Sequence, residues 1–123
     1  MDNLYKEELM EIYKNPMHRG HMDEPSVSLS KNNPMCGDKI TLQLKLNNGV
    51  IEDAKFDGDA CAVSVISSAM VTDHIIGKTI EEAQKLTKED LLEMIGMNLT
   101  TSRVKCATLV LTTLHSVLEG FAN

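Results

Sequence analysis

The chain has no tryptophan and only 2 Phe and 2 Tyr, so it lacks the ring platform on which bases or sugars stack. Basic residues are in deficit: 12 Lys and Arg against 18 Asp and Glu leave a net charge of -6, and no basic run occurs. That balance repels phosphate backbones and anionic lipid, so neither nucleic acid nor a membrane is an expected partner. The first fifteen residues, MDNLYKEELMEIYKN, hold no long apolar stretch and are charged throughout. They fit neither a secretion signal nor a membrane span, which makes the cytoplasm the expected compartment. Cysteine is scarce and odd in number: Cys36, Cys61 and Cys106 lie far apart, which suits thiols or metal ligands in a reducing compartment and not a disulfide framework. No repeat, low-complexity tract or G-x-S-x-G nucleophile elbow is found. The length allows one core without disulfide support, and a single domain over residues 1–123 is expected.

What is present is periodic. Tyr5, Leu9, Ile12 and Tyr13 make the stripe of an amphipathic helix over residues 3–15, stopped by Pro16. Residues 16–38 contain all three prolines and read as loop, with room for a short strand near Val27 and Leu29. Ile40, Leu42, Leu44 and Leu46 then alternate with polar residues, giving a strand with one buried and one wet face. The turn "NNG" at 47–49 leads to a hairpin partner at 50–57, with Ala54 and Phe56 facing inward. After "DGDAC", the segment AVSVISSAMVTDHIIG reads as a helix with Ala62, Ile66, Ala69 and Met70 on one face, closed by Gly77. Capping boxes at Thr79 with Glu82 and Thr87 with Asp90, the second weaker for its aspartate, open two short helices that end near Gly96. The last helix carries Val104, Ala107, Leu111, Leu114, Leu118 and Phe121 three or four apart, capped by Thr101 or Ser102. A run of strands followed by a run of helices argues for an α+β fold, a small antiparallel sheet with helices packed on one face.

Each cysteine falls at an element boundary, where a side chain is presented at the end of a scaffold. Cys36 lies in the turn "NPMCGD", Cys61 opens a helix, and Cys106 lies in the first turns of the last helix. A helix N-terminus stabilises a thiolate, the form that binds metal and attacks sulfur. With Asp38 two residues from Cys36, three sulfurs and one oxygen make a ligand set for zinc or an iron-sulfur cluster. The spacings match no local zinc motif, so convergence of the set is an expectation that the fold must meet. Plainer readings stand beside it: Cys106 as a core residue, Asp38 as a solvated turn residue, and Ser64, Ser67 and Ser68 as helix surface or close packing. His74 and His115 read as helix surface or core, and His18 and His21 as a weak ligand pair.

"YKNP", "NPMCGD", "GDACAVSVISSAM" and "RVKCATL", in this order, resemble the IscU, SufU and NifU N-terminal family of iron-sulfur cluster assembly proteins. The resemblance implies Cys36, Asp38, Cys61 and Cys106 as ligands of a [2Fe-2S] cluster or iron, with zinc as the alternative occupant, and Cys106 as persulfide acceptor. It also implies a cysteine desulfurase as sulfur donor and apo-proteins or cluster carriers as recipients; a homo-oligomer stays open. Lys105 stands where the IscU branch has histidine, and "LTTSRVK" replaces the "LPPVK" that a dedicated chaperone reads there. Arg103 matches the SufU branch, yet the 44 residues between Cys61 and Cys106 leave little room for the insertion SufU proteins carry. Arg103 and Lys105 are expected to favour the Cys106 thiolate and steer anionic sulfur. Two functions follow from the resemblance: a non-enzymatic scaffold for cluster assembly, or a zinc-dependent sulfurtransferase.

Overall fold

A computed structural model describes residues 2–34, 37–96 and 98–119. Cys36, Phe121 and the Tyr5 side chain lie outside the described residues. The elements run α1 (Asp2–Lys14), β1 (Val27–Asn32), β2 (Lys39–Asn47), β3 (Val50–Asp57), α2 (Ala62–Ile75), α3 (Ile80–Gln84), α4 (Lys88–Ile95) and α5 (Thr101–Leu118). The three strands form an antiparallel sheet in the order β1-β2-β3. β1 is a full strand of 6 residues, longer than its sequence suggests, because each of its residues pairs with β2.

Asn48 and Gly49, both at positive φ (53° and 80°), make the two-residue turn whose twist matches a β2–β3 hairpin. Period-two alternation then puts Ile40, Leu42, Leu44, Ala54 and Phe56 on one buried face. The other face is not uniformly wet: Gln43 is buried, and its amide oxygen accepts from the Met22 N–H at 2.8 Å. The free edge of β3 is also covered, by Gly20 N–H to Phe56 O (2.9 Å) at one end and Gly77 N–H to Ile51 O (2.7 Å) at the other.

α2 departs from the expected one-sided stripe. It is buried nearly all round, from Val63 to Ala69 and at Val71, Thr72 and Ile75, while Ala62 and Met70 are only half-buried. The cause is its place: it packs on β3, α1, α4 and α5 at once. A helix with so many close neighbours needs small residues where they approach, and Ser64, Ser67 and Ala69 supply them, while Asp73 and His74 near its end stay exposed. Ser67 donates to Ala107 O and the Ser64 hydroxyl lies 2.7 Å from Cys106 O, so the α2–α5 seam sets hydroxyls against helical carbonyls. Ser68 is as buried but has no hydrogen-bond partner among the described residues. Both capping boxes form completely, the Asp90 one with bonds of 3.1 Å each way, so aspartate closes the box as glutamate does. α5 is capped by Thr100, one residue before the expected Thr101 or Ser102, and Thr100 makes no side-chain cap bond.

Candidate metal centre

Three chain segments meet at one end of the sheet. The β1–β2 connection is closed by Asn33 N–H to Asp38 O and Gly37 N–H to Asn33 O, both 2.8 Å, with Gly37 at φ 76° where a side chain is disfavoured. This tight loop delivers Asp38 at the foot of β2, and only Gly37 separates Asp38 from Cys36 in the chain. The β3–α2 connection brings Cys61 as the N-cap of α2. Cys106 comes from the second turn of α5, buried to 3% exposure.

A carboxylate oxygen of Asp38 and the sulfurs of Cys61 and Cys106 all lie within 4.8 Å of one another. Among the described residues no other group of His, Cys, Asp and Glu clusters in this way. Asp38 is no solvated turn residue: it is buried, its Oδ1 accepts from Cys61 N–H at 3.0 Å, and its Oδ2 accepts from the Ser64 hydroxyl at 2.8 Å. None of the four histidines joins this group, and two of them bond elsewhere. His18 bonds Asp73 at 3.0 Å and His115 bonds Leu86 O at 2.9 Å.

Helix-end effects are unequal at the two sulfurs. Cys61 caps α2, whereas Cys106 is the sixth residue of α5, beyond the first turn in which the field of a helix terminus is felt. Of the two sulfurs expected at a helix end, only that of Cys61 lies at one. Arg103 and Lys105 are both exposed. Arg103, three residues before Cys106, shares its side of the helix, while Lys105 is turned roughly 100° away.

One structural contributor carried no signal of its own in the sequence. Gly58, at φ 136°, lies against the start of β2 so closely that a Cβ there would sit 2.0 Å from Lys39 O. Lys39 N–H donates to Asp59 O at 2.7 Å, and Arg19 donates to Asp57 Oδ1 (3.2 Å) and Gly58 O (3.0 Å). The loop leading to Cys61 is thereby pinned to the strand that begins beside Asp38.

Two thiols and a carboxylate are a donor set that zinc and iron both accept, with the softer sulfurs holding more firmly than the oxygen. Comparison with known proteins points the same way. The family profile of the NifU-like N terminal domain matches residues 4–123. The zinc-dependent sulfurtransferase SufU of Bacillus subtilis (strain 168) is 36% identical over 126 residues, spanning 89% of this chain and 85% of the relative. The iron-sulfur cluster assembly scaffold protein IscU of Escherichia coli (strain K12) is 30% identical over 123 residues, spanning 97% and 94%. A crystal structure from Fervidobacterium islandicum AW-1, described as a candidate iron-sulfur cluster assembly scaffold protein for the SUF system, matches with TM-score 0.77 and 26% identity over 89% of this chain and 93% of its own. The chain belongs to the NifU-like N-terminal domain family.

Proposed function

We propose that this protein is a scaffold on which iron and sulfide are assembled into a transient [2Fe-2S] cluster for transfer to apo-proteins or cluster carriers. The observation that carries the reading is the convergence of Asp38, Cys61 and Cys106 within 4.8 Å from three separate segments. Cys36, joined to Asp38 through Gly37, supplies the fourth ligand in this reading. Sulfur comes from a cysteine desulfurase. The Cys106 thiolate attacks the outer sulfur of the donor's persulfide, a new S–S bond forms at Cys106, and the donor's own thiolate leaves. Because Cys106 is buried and Cys61 half-buried, docking of the donor has to uncover the acceptor sulfur before transfer. Arg103 and Lys105 flank it at the surface, where positive charge steers an anionic sulfur species inward. Asp38 is the weak ligand of the set, which suits cargo meant to leave. The cytoplasm is the compartment this reading assigns.

A second reading is favoured by the 36% identity to SufU and by Arg103: a sulfurtransferase in which the same four residues hold zinc. Zinc there would keep the ligand cysteines as thiolates. The two readings separate when the protein is incubated without oxygen with a cysteine desulfurase, cysteine and ferrous iron. Iron and acid-labile sulfide in equal amounts, with visible absorption lost in Cys36→Ser, support the scaffold. One tightly held zinc per chain, no sulfide and a stimulated desulfurase rate assign sulfur transfer instead. Under the scaffold reading, Asp38→Ala yields a cluster that persists longer than in wild type, and faster loss would remove Asp38 from the role of labile ligand.

A further inference from the structure

Ser64 stands between two of the converging residues and offers no soft ligand atom of its own. Its side chain is 1% exposed, and its hydroxyl oxygen lies 2.8 Å from Asp38 Oδ2 and 2.7 Å from Cys106 O. A hydroxyl carries one hydrogen, so it donates fully to one acceptor at a time. Cys106 O already has a regular donor, the amide four residues further along α5, whereas a carboxylate oxygen is the stronger acceptor.

We infer that Ser64 is the positioning residue of the metal centre, its hydroxyl donating to Asp38 Oδ2 and, together with the Cys61 N–H at Oδ1, holding the carboxylate oriented both before and after one of its oxygens takes up a metal ion. This rests on the metal-site reading given above. The Cys61 N–H at Oδ1 and the Ser64 hydroxyl at Oδ2 fix the carboxylate plane, so Asp38 is oriented before a cation arrives. A carboxylate has acceptor sites enough for both a hydrogen bond and a metal ion, so the Ser64 hydroxyl stays on Asp38 when a cation binds. Loss of such an outer partner of a ligating group lowers metal affinity by about 10–100-fold.

The experiment is a titration with cobalt(II) under nitrogen, in competition with a chelator, of wild type, Ser64→Ala, Asp38→Ala and the double variant, each checked for folding by circular dichroism. Ser64→Ala is expected to bind cobalt at least tenfold more weakly than wild type. Its sulfur-to-cobalt charge-transfer band in the near ultraviolet should keep its intensity, because the thiolates still ligate, while the visible bands shift as the oxygen ligand loosens. In the Asp38→Ala background the Ser64 substitution should cost less than about twofold, since the residue it positions is gone. A Ser64→Ala loss that is the same in both backgrounds, or no loss at all, overturns the assignment and leaves Ser64 as packing between α2 and α5. Wild type that shows no charge-transfer band overturns the metal-site reading and this inference with it. Should Ser64→Ala fold poorly, Ser64→Gly removes the same hydroxyl without added bulk and is judged by the same comparison.

Discussion

Gly58→Ala tests how the centre is held together. Alanine at φ 136° occupies backbone space that side chains rarely adopt, at about 1–3 kcal/mol. Its Cβ would also lie 2.0 Å from Lys39 O and 2.9 Å from Lys39 C, both backbone atoms that cannot swing aside as a side chain does. Relief requires the loop and the strand to part by about an ångström, which breaks the Lys39 N–H to Asp59 O bond and loses about 1 kcal/mol more. A total of about 2–4 kcal/mol corresponds to a fall in Tm of roughly 10 °C for a domain of this size. The same movement carries Cys61 away from Asp38, whose Oδ1 depends on the Cys61 N–H. Zinc affinity should therefore drop along with stability, by tenfold or more. Urea unfolding of the metal-free protein and zinc competition against a chelator read the two effects separately. A Gly58→Ala protein that melts within about 2 °C of wild type and binds zinc equally would refute the claim that this close approach sets the geometry.

Two further outcomes follow from groups away from the sulfurs. Ser68, buried without a hydrogen-bond partner among the described residues, should gain from removal of its hydroxyl: Ser68→Ala is expected to stabilise the protein by up to about 1 kcal/mol in thermal denaturation, and destabilisation would mean that the hydroxyl is paired after all. Glu82 and Asp90 have their carboxyls held below their ordinary values of 4.5 and 3.8, chiefly by the backbone N–H groups of Thr79 and Thr87 and then by the threonine hydroxyls. Their contribution is complete above those ordinary values and is lost as pH falls through the lowered ones, because the unfolded chain then binds more protons than the folded one. Glu82→Gln with Asp90→Asn should flatten the fall of the urea midpoint with acidification in that window, and an unchanged slope would count against the boxes as its source.

Strand alternation, the "NNG" turn and the capping boxes were legible because each is a local code, in which a residue's neighbours in the chain are also its neighbours in space. The burial of α2 is not legible, for the opposite reason. Its contacts come from β3, α1, α4 and α5, so of the stripe Ala62, Ile66, Ala69 and Met70 that a one-faced periodicity predicts, Ile66 and Ala69 are buried while Ala62 and Met70 are only half-covered, and the burial of the other faces goes unread. The hidden burial of Gln43 has the same origin in a loop, residues 20–22, that carries no periodic signal. At the candidate centre the positions of Cys61 and Cys106 at element starts were readable, but their distance from each other was not, since 44 residues intervene. Ser64 looked like surface or packing because nothing in one sequence distinguishes a serine that bonds a carboxylate from one that faces water. Gly58 carries no signal in the sequence because a glycine shows its reason only when the backbone it touches is known.

The three converging donors are far apart in sequence, with 23 positions from Asp38 to Cys61 and 45 from Cys61 to Cys106. An unfolded chain cannot present them together, so a cation that binds all of them binds the folded state alone. Loading then adds to stability by mass action, about 4 kcal/mol when the free ion stands at a thousand times its dissociation constant. Resistance to proteolysis becomes a gauge of occupancy: the emptied protein opens and is cut sooner than the loaded one, and the lifetime of the chain follows the supply of what it carries.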